Sequence, residues 1–267
     1  MRVAVRQLAE GRRRPVLVLD FLPFSELRPL GNVLAEHHDD HPVFRADPIG
    51  DLTATTGYHS VADLADCYAK ACVEEAALAA SEPLVVGFCS TALLAVRLAE
   101  RIGGPPRVLL MQPSWPTEEQ AWSDFASFRA QWAPGVPATD RGAVVSGPGP
   151  HPTPEELLAR MTTVLENEVP PAAAAQGLDT VDGQELVRQM LDRYRAWLTY
   201  LLACAHELRA MSAPTLTLRL LAGADDQLTL PWPQREAMRV VRVPAPGERL
   251  LDNADQLAAA VLAEADR

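Results

Sequence analysis

The chain has 267 residues, is 48% hydrophobic and carries a formal net charge of −11. That length and apolar content suffice for one large α/β core, and the acidic balance argues against nucleic acid or an anionic membrane as the main partner. No apolar run reaches the about twenty residues of a membrane helix, and the stretch from Met1 to Gln7 lacks the apolar segment of a signal peptide, so a cytoplasmic setting is expected.

Taken in chain order, Pro15 to Phe21 is a near-continuous apolar run of the kind found in buried parallel sheets. A helix is predicted over Leu27 to Ala35, and Pro42 to Asp47 reads as the next strand. Ser60 with Asp63 forms a capping-box pattern, opening a helix that buries Val61, Leu64, Ala65, Tyr68 and Cys72 at helical spacing. His37, His38 and His41 fall in a charged loop expected to be solvated. Leu84 to Val86 is a short buried strand, and Leu93, Leu94, Val96, Leu98 and Ile102 mark a helix ending at Gly103-Gly104. Arg107 to Met111 is another strand, and no further strand is predicted before Thr215 to Leu221. Between them lie a Pro/Gly-rich stretch, Trp132 to Pro154, and helical patterns over Pro154 to Glu168 and Gln184 to Ala210. The second pattern places Leu186, Met190, Tyr194, Trp197, Leu201, Ala205 and Leu208 on one stripe. A strand from Arg239 to Val243, a loop from Pro244 to Arg249 and a helix from Asp255 to Ala265 close the chain.

Strands alternating with helices predict an α/β fold, a mostly parallel sheet flanked by helices with right-handed crossovers. The expectation is one domain over 1–267, with 116–212 inserted as a helical lid, because so long an interval between strands usually serves function.

The stretch from Leu84 to Ile102 carries the chemistry. Strand, sharp turn and helix make the frame of a nucleophile elbow, where a G-x-S-x-G motif lifts one side chain above the sheet. Here the central residue is Cys89, two after Gly87, and Thr91 replaces the second glycine. In the rival register Ser90 would be central with Phe88 at the close strand–helix approach, where a large ring fits far worse than Gly87. The competing reading of Cys89 is a buried, inert thiol at a strand–helix junction. The four cysteines (Cys67, Cys72, Cys89 and Cys204) lie too far apart for a zinc signature, so free thiols are expected, with no metal and no cofactor.

With these elements placed, the chain resembles the thioesterase branch of the α/β-hydrolase family, which releases or edits acyl chains in polyketide and nonribosomal peptide (antibiotic) biosynthesis. The likeness runs through Phe21 to Phe24, Tyr58 to Ala65, Gly87 to Ala99, Met211 to Arg219, Gly223 to Asp226 and the Pro246-Gly247 turn. It implies Cys89 as nucleophile in place of serine and Asp226 as the acid, with Asp225 one residue off. The alternative acid position after the strand following the elbow holds Gln112, which cannot serve. The family's histidine position holds Glu248. The resemblance also implies Ser90 N–H as one oxyanion donor, with Leu22 or Phe24 N–H as the other, although Asp20 to Phe24 lacks the usual glycines. The implied partner is an acyl or peptidyl carrier protein presenting a phosphopantetheine thioester.

Cysteine tolerates the loss of histidine better than serine does, because its thiol ionises more readily and a helix N-terminus is expected to assist. A carboxylate at Glu248 would oppose that ionisation unless protonated. Among the histidines, His206 on the long helix is the one placed to swing over the elbow. Three readings follow: acyl transfer, cyclisation or hydrolysis through Cys89; non-covalent catalysis by Asp20, Asp226 and Glu248; or a catalytically inactive binding relative.

Overall fold

The computed structural model describes residues 1–21, 28–102, 107–133, 152–212, 214, 218–222, 230–232, 239–242 and 254–267. Its sheet has seven strands among the described residues: β1 (Val5–Ala9), β2 (Val16–Leu19), β3 (Val43–Ala46), β4 (Leu84–Phe88), β5 (Arg107–Met111), β6 (Leu218–Ala222) and β7 (Arg239–Arg242). They lie in the order β1-β3-β2-β4-β5-β6-β7, with β1 antiparallel to β3 and every other pairing parallel. All four residues of β2 are fully buried, as the unbroken Val-Leu-Val-Leu run predicts for a strand covered on both faces. The edge strand β1 was not expected from sequence: Arg6 and Gln7 leave it half-exposed, with little apolar signal.

The helices are α1 (Leu30–Glu36), α2 (Pro48–Thr53), α3 (Val61–Glu74), α4 (Ala76–Ala79), α5 (Ala92–Ile102), α6 (Glu118–Trp132), α7 (Pro154–Ala175), α8 (Val181–Ala210) and α9 (Ala254–Ala265). Alternate residues of the sheet serve its two faces. Val16, Val18, Leu84, Val86, Leu109 and Met111 pack against Leu30 and Leu34 of α1 and Leu257 and Val261 of α9. On the other face, α5 packs against α3 and β4. His41 departs from the solvated loop expected of it. It is fully buried, its Nδ1 lies 2.8 Å from the Arg14 carbonyl and its Nε2 lies 3.3 Å from Asp266.

The chain packs as two compact units. Met1–Asp51, Val61–Trp115 and Ala210–Arg267 form the first, and Leu52–Ser60 with Pro116–Arg209 the second. In the second, α6, α7 and α8 share a core that includes Phe125, Met161, Leu165, Val169, Leu198 and Leu201. Phe128 stacks on Tyr194 at 3.7 Å, and the buried Arg129 pairs through Nη2 with Glu168 at 3.0 Å, joining α6 to α7.

Thr153 caps α7 through a reciprocal box: Glu156 N–H donates to its hydroxyl at 3.2 Å, and its own N–H donates to the Glu156 carboxylate at 2.9 Å. The sequence pattern ended this helix at Glu168, but it continues through Pro170 and Pro171 to Ala175. The buried stripe Leu158, Met161, Leu165, Val169 and Ala173 runs past the prolines unbroken, and the prolines themselves face water. Tertiary burial overrides the local penalty. In α8 the predicted stripe is buried at Tyr194, Leu201 and Ala205, but at its start Val187 is buried while Leu186 is 54% exposed.

Candidate active site

The carboxyl ends of β2, β4 and β5 meet in register, Leu19 beside Gly87 and Phe88 beside Met111. The residues that follow these strands, Asp20, Cys89 and Gln112, therefore stand side by side at the sheet's carboxyl edge. In open α/β sheets ligands bind along that edge.

Cys89 opens a single 3-10 turn, Cys89–Thr91, that leads directly into α5. Its φ is +53°, the left-handed region that a non-glycine residue enters at a cost of about 1–2 kcal/mol. That strained strand-to-helix corner is the geometry of a nucleophile elbow. Gly87 makes the corner sterically feasible: a Cβ there would lie 2.7 Å from Ala95 Cβ and 3.0 Å from Ala92 Cα. The register argued from sequence, with Gly87 and not Phe88 at the close approach, is the one present.

Thr91 stands where the motif usually has glycine, and its role was not legible beforehand. The side chain is fully buried. Its hydroxyl is within 2.6 Å of the Leu19 carbonyl and 2.8 Å of the Phe88 carbonyl, and it accepts from Phe88 N–H at 2.9 Å. One hydroxyl thus ties the elbow to the end of the neighbouring strand. From the other side, Ser114 N–H donates to the Cys89 carbonyl at 3.1 Å. Trp115 follows, set edge-to-face on the buried Trp232 at 4.9 Å.

The electrostatics differ from expectation. Cys89 is half-buried, and burial pushes its thiol up, partly offset by the hydrogen bond from Ser90 N–H. The helix N-terminus was expected to lower it, but desolvation of the thiolate outweighs the Ser90 hydrogen bond and the net shift is upward. Cys72 and Cys204 are buried deeper, and burial raises both thiols to about 12. Asp20 is buried and fully engaged, accepting from Gly31 N–H at 2.7 Å and from the Arg45 guanidinium. Burial pushes its carboxyl up against the opposing pull of Arg45. Those partners make it a pin between β2, β3 and α1. His206 is exposed on α8.

Of the sequence-predicted site residues, Cys89 and Ser90 come together at the elbow. Asp226, Glu248, Leu22 and Phe24 lie outside the described residues, as does Asp225. Among the described residues no cluster of His, Cys, Asp and Glu could hold a metal ion, and no helix is long and apolar enough to cross a membrane.

No protein-family model and no curated protein sequence matches the chain. Solved structures do. A thermophilic esterase from Thermogutta terrifontis is 15% identical with a TM-score of 0.54, over 99% of this chain and 92% of the esterase. YbtT, the type II thioesterase of the yersiniabactin NRPS/PKS pathway, is 16% identical with a TM-score of 0.51, over 90% of this chain and 89% of YbtT. A four-domain nonribosomal peptide synthetase is 15% identical with a TM-score of 0.53; 98% of this chain aligns, spanning 20% of the synthetase. The fold is the α/β-hydrolase fold, and at these identities the fold is what the likeness establishes.

Proposed function

We propose that the protein is a thioesterase-like enzyme of polyketide or nonribosomal peptide biosynthesis that takes an acyl group onto Cys89 from a carrier-protein phosphopantetheine thioester. The observation that carries this reading is the left-handed Cys89 at a strand–helix corner that Gly87 alone makes room for. The Cys89 sulfur attacks the thioester carbonyl, the pantetheine thiol leaves with the proton that Cys89 gives up, and an acyl-cysteine thioester remains. Water, an amine or a hydroxyl then attacks that carbonyl, and Cys89 recovers its proton. Ser90 N–H, already on the thiol, stabilises the oxyanion together with Leu22 or Phe24 N–H. On this reading Asp226 is the acid of the site, and Glu248 stays protonated or clear of the sulfur so that no charge there suppresses the thiolate.

The raised Cys89 thiol favours a second reading, in which the protein acts on an acyl ligand without covalent catalysis or only binds it. Intact-protein mass after incubation with hexanoyl-pantetheine separates the two. An adduct of one hexanoyl group, absent in Cys89→Ala, is the expected outcome. No adduct at any pH up to the alkaline limit of the fold would leave the second reading.

A further inference from the structure

Every second residue of β2, β4 and β5 points to the face of the sheet that carries α9, and Val16, Leu84 and Leu109 lie on it. The same alternation brings Arg14, Glu82 and Arg107 to that face at the sheet's amino edge, the opposite edge from Cys89. The Pro15 carbonyl accepts from Leu84 N–H at 2.9 Å, and Leu84 stands beside Arg107 in register, so the three residues form a row across adjacent strands. The end of α9 meets that row, where Arg14 Nη1 donates to the Ala265 carbonyl at 3.1 Å.

The other acceptors at this end of α9 are taken. Glu264 pairs with Arg219 and with Arg267, the latter at 2.7 Å. Asp266 pairs with Arg13 at 3.2 Å and faces His41 at 3.3 Å. Arg107 is left over: its Nη1 is buried and has no hydrogen-bond partner among the described residues. A charged donor shut off from water without an acceptor is costly. The charge that Arg107 bears on is another cation. Burial, and then the Arg107 charge, hold the Arg14 guanidinium below its ordinary value, against the pull of Glu82 and Asp266. Glu82 is exposed and acts on Arg14 through its field alone.

We propose that Arg14 and Arg107 form a binding site for a dianionic phosphate group. Two strand spacings, roughly 10 Å, separate their backbones, a gap that two arginine side chains close around one tetrahedral anion. Phosphate presents oxygens to both guanidiniums and carries two charges to match theirs, whereas a carboxylate is satisfied by a single guanidinium fork. Both side chains are half-buried, so the anion arrives from solvent and a turn of the terminal torsions brings Arg107 Nη1 onto it. The site lies at the far edge of the sheet from the elbow and stands whether or not Cys89 takes an acyl group.

The test uses the full chain at pH 8 with inorganic phosphate, methyl phosphate and acetate as probes in a chloride background, with affinities from calorimetry. Phosphate is expected to bind at one site per chain. A hydrogen bond to a charged group corresponds to roughly ten- to a hundredfold in affinity, so acetate, Arg107→Gln and Arg14→Gln are each expected to fall short of wild type with phosphate by about that factor. Arg209→Gln, whose arginine pairs with Glu118 in the second unit, is expected to bind phosphate as wild type does. Should an Arg107 or Arg14 variant fail to fold, phenylglyoxal labelling of wild type, read by peptide mapping, replaces it: phosphate is expected to slow modification of Arg107 and leave Arg209 unaffected. Methyl phosphate binding as tightly as phosphate assigns the site to a phosphate monoester, and methyl phosphate binding far more weakly assigns it to the free ion. No saturable phosphate binding, acetate as tight as phosphate, unchanged affinity in a folded Arg107→Gln, or Arg107 labelling that phosphate does not slow overturns the proposal.

Discussion

Gly87→Ala tests the strand–helix packing on which the elbow depends. The added methyl would sit 2.7 Å from Ala95 Cβ, 3.0 Å from Ala92 Cα and 3.3 Å from Leu110 Cδ2. Carbon atoms at contact prefer about 3.5–4.0 Å, so the strand and α5 must separate by nearly an ångström. Leu110 can turn aside, but Ala92 Cα is backbone and the Ala95 methyl is fixed to it. Overpacking of this kind costs about 1–3 kcal/mol, and the immobile obstacles place Gly87→Ala toward the upper end, at about 2 kcal/mol after the lower entropy of the unfolded alanine chain is counted. For a chain of this size that is a fall of roughly 4–8 °C in melting midpoint. Ala95→Gly removes the nearest obstacle at about 1 kcal/mol of helix propensity. The double variant should therefore be less destabilised than the sum of the singles by at least about 0.5 kcal/mol. Urea unfolding followed by circular dichroism reads all four proteins, and hexanoyl adduct formation should fall in Gly87→Ala as the corner moves. A Gly87→Ala protein within about 0.5 kcal/mol of wild type, or a strictly additive cycle, would refute the packing argument.

Iodoacetamide at pH 7, read by peptide mapping, should label Cys89 far ahead of Cys72 and Cys204, and slowly, with a rate that climbs past the pH at which an ordinary thiol levels off. Because burial raises Cys72 and Cys204 from 9.0 to about 12, the folded state holds their protons more tightly than the unfolded chain. Their contribution to stability is whole below pH 9 and is lost as pH rises toward 12, at about 1.4 kcal/mol per pH unit for each thiol, so Cys204→Ala should flatten the alkaline fall measured by urea unfolding. Thr91→Val keeps the shape but strips the hydroxyl from its backbone partners, and should destabilise the first unit by about 1–3 kcal/mol in the same assay. Glu248→His should create or increase hydrolysis of hexanoyl-pantetheine, followed by thiol release; a folded variant with no hydrolysis would count against the acyl-transfer reading.

The elements nearest the site were the easiest to read. β2, β4 and β5 are continuous apolar runs, and α5 carries its buried face at plain helical spacing, so pattern and burial coincide. β1 was missed because an edge strand half in water shows no such run, and the Glu118-Glu119 start of α6 hid a helix behind polar residues. The end of α7 was misread because the two prolines are a local signal, whereas the packing of Val169 and Ala173 is not. At the site, the choice of Cys89 over Ser90 was legible because it turned on whether glycine or phenylalanine fits between strand and helix. The burial that raises the Cys89 thiol was not legible, because desolvation depends on neighbours distant in sequence. Nor was the positive φ of Gln112, +42°, where the residue type and the following proline both point away from it.

The two prolines inside α7 have a dynamic consequence. Neither residue carries an amide hydrogen, so the Glu166 and Asn167 carbonyls lose the donors that the regular ladder would supply. Glu166, Asn167, Pro170 and Pro171 all face water, so solvent can take the place of those donors on the outer side of the helix. On the inner side Val169 and Ala173 are buried, Val169 before the prolines and Ala173 beyond them. A rod that is continuous in shape is therefore divided in its opening. The turn from Ala172 to Ala175 can unzip and exchange its amides with solvent water while the residues before Val169 remain closed, and a slow-exchange core in this unit would stop at the prolines and not at the helix end.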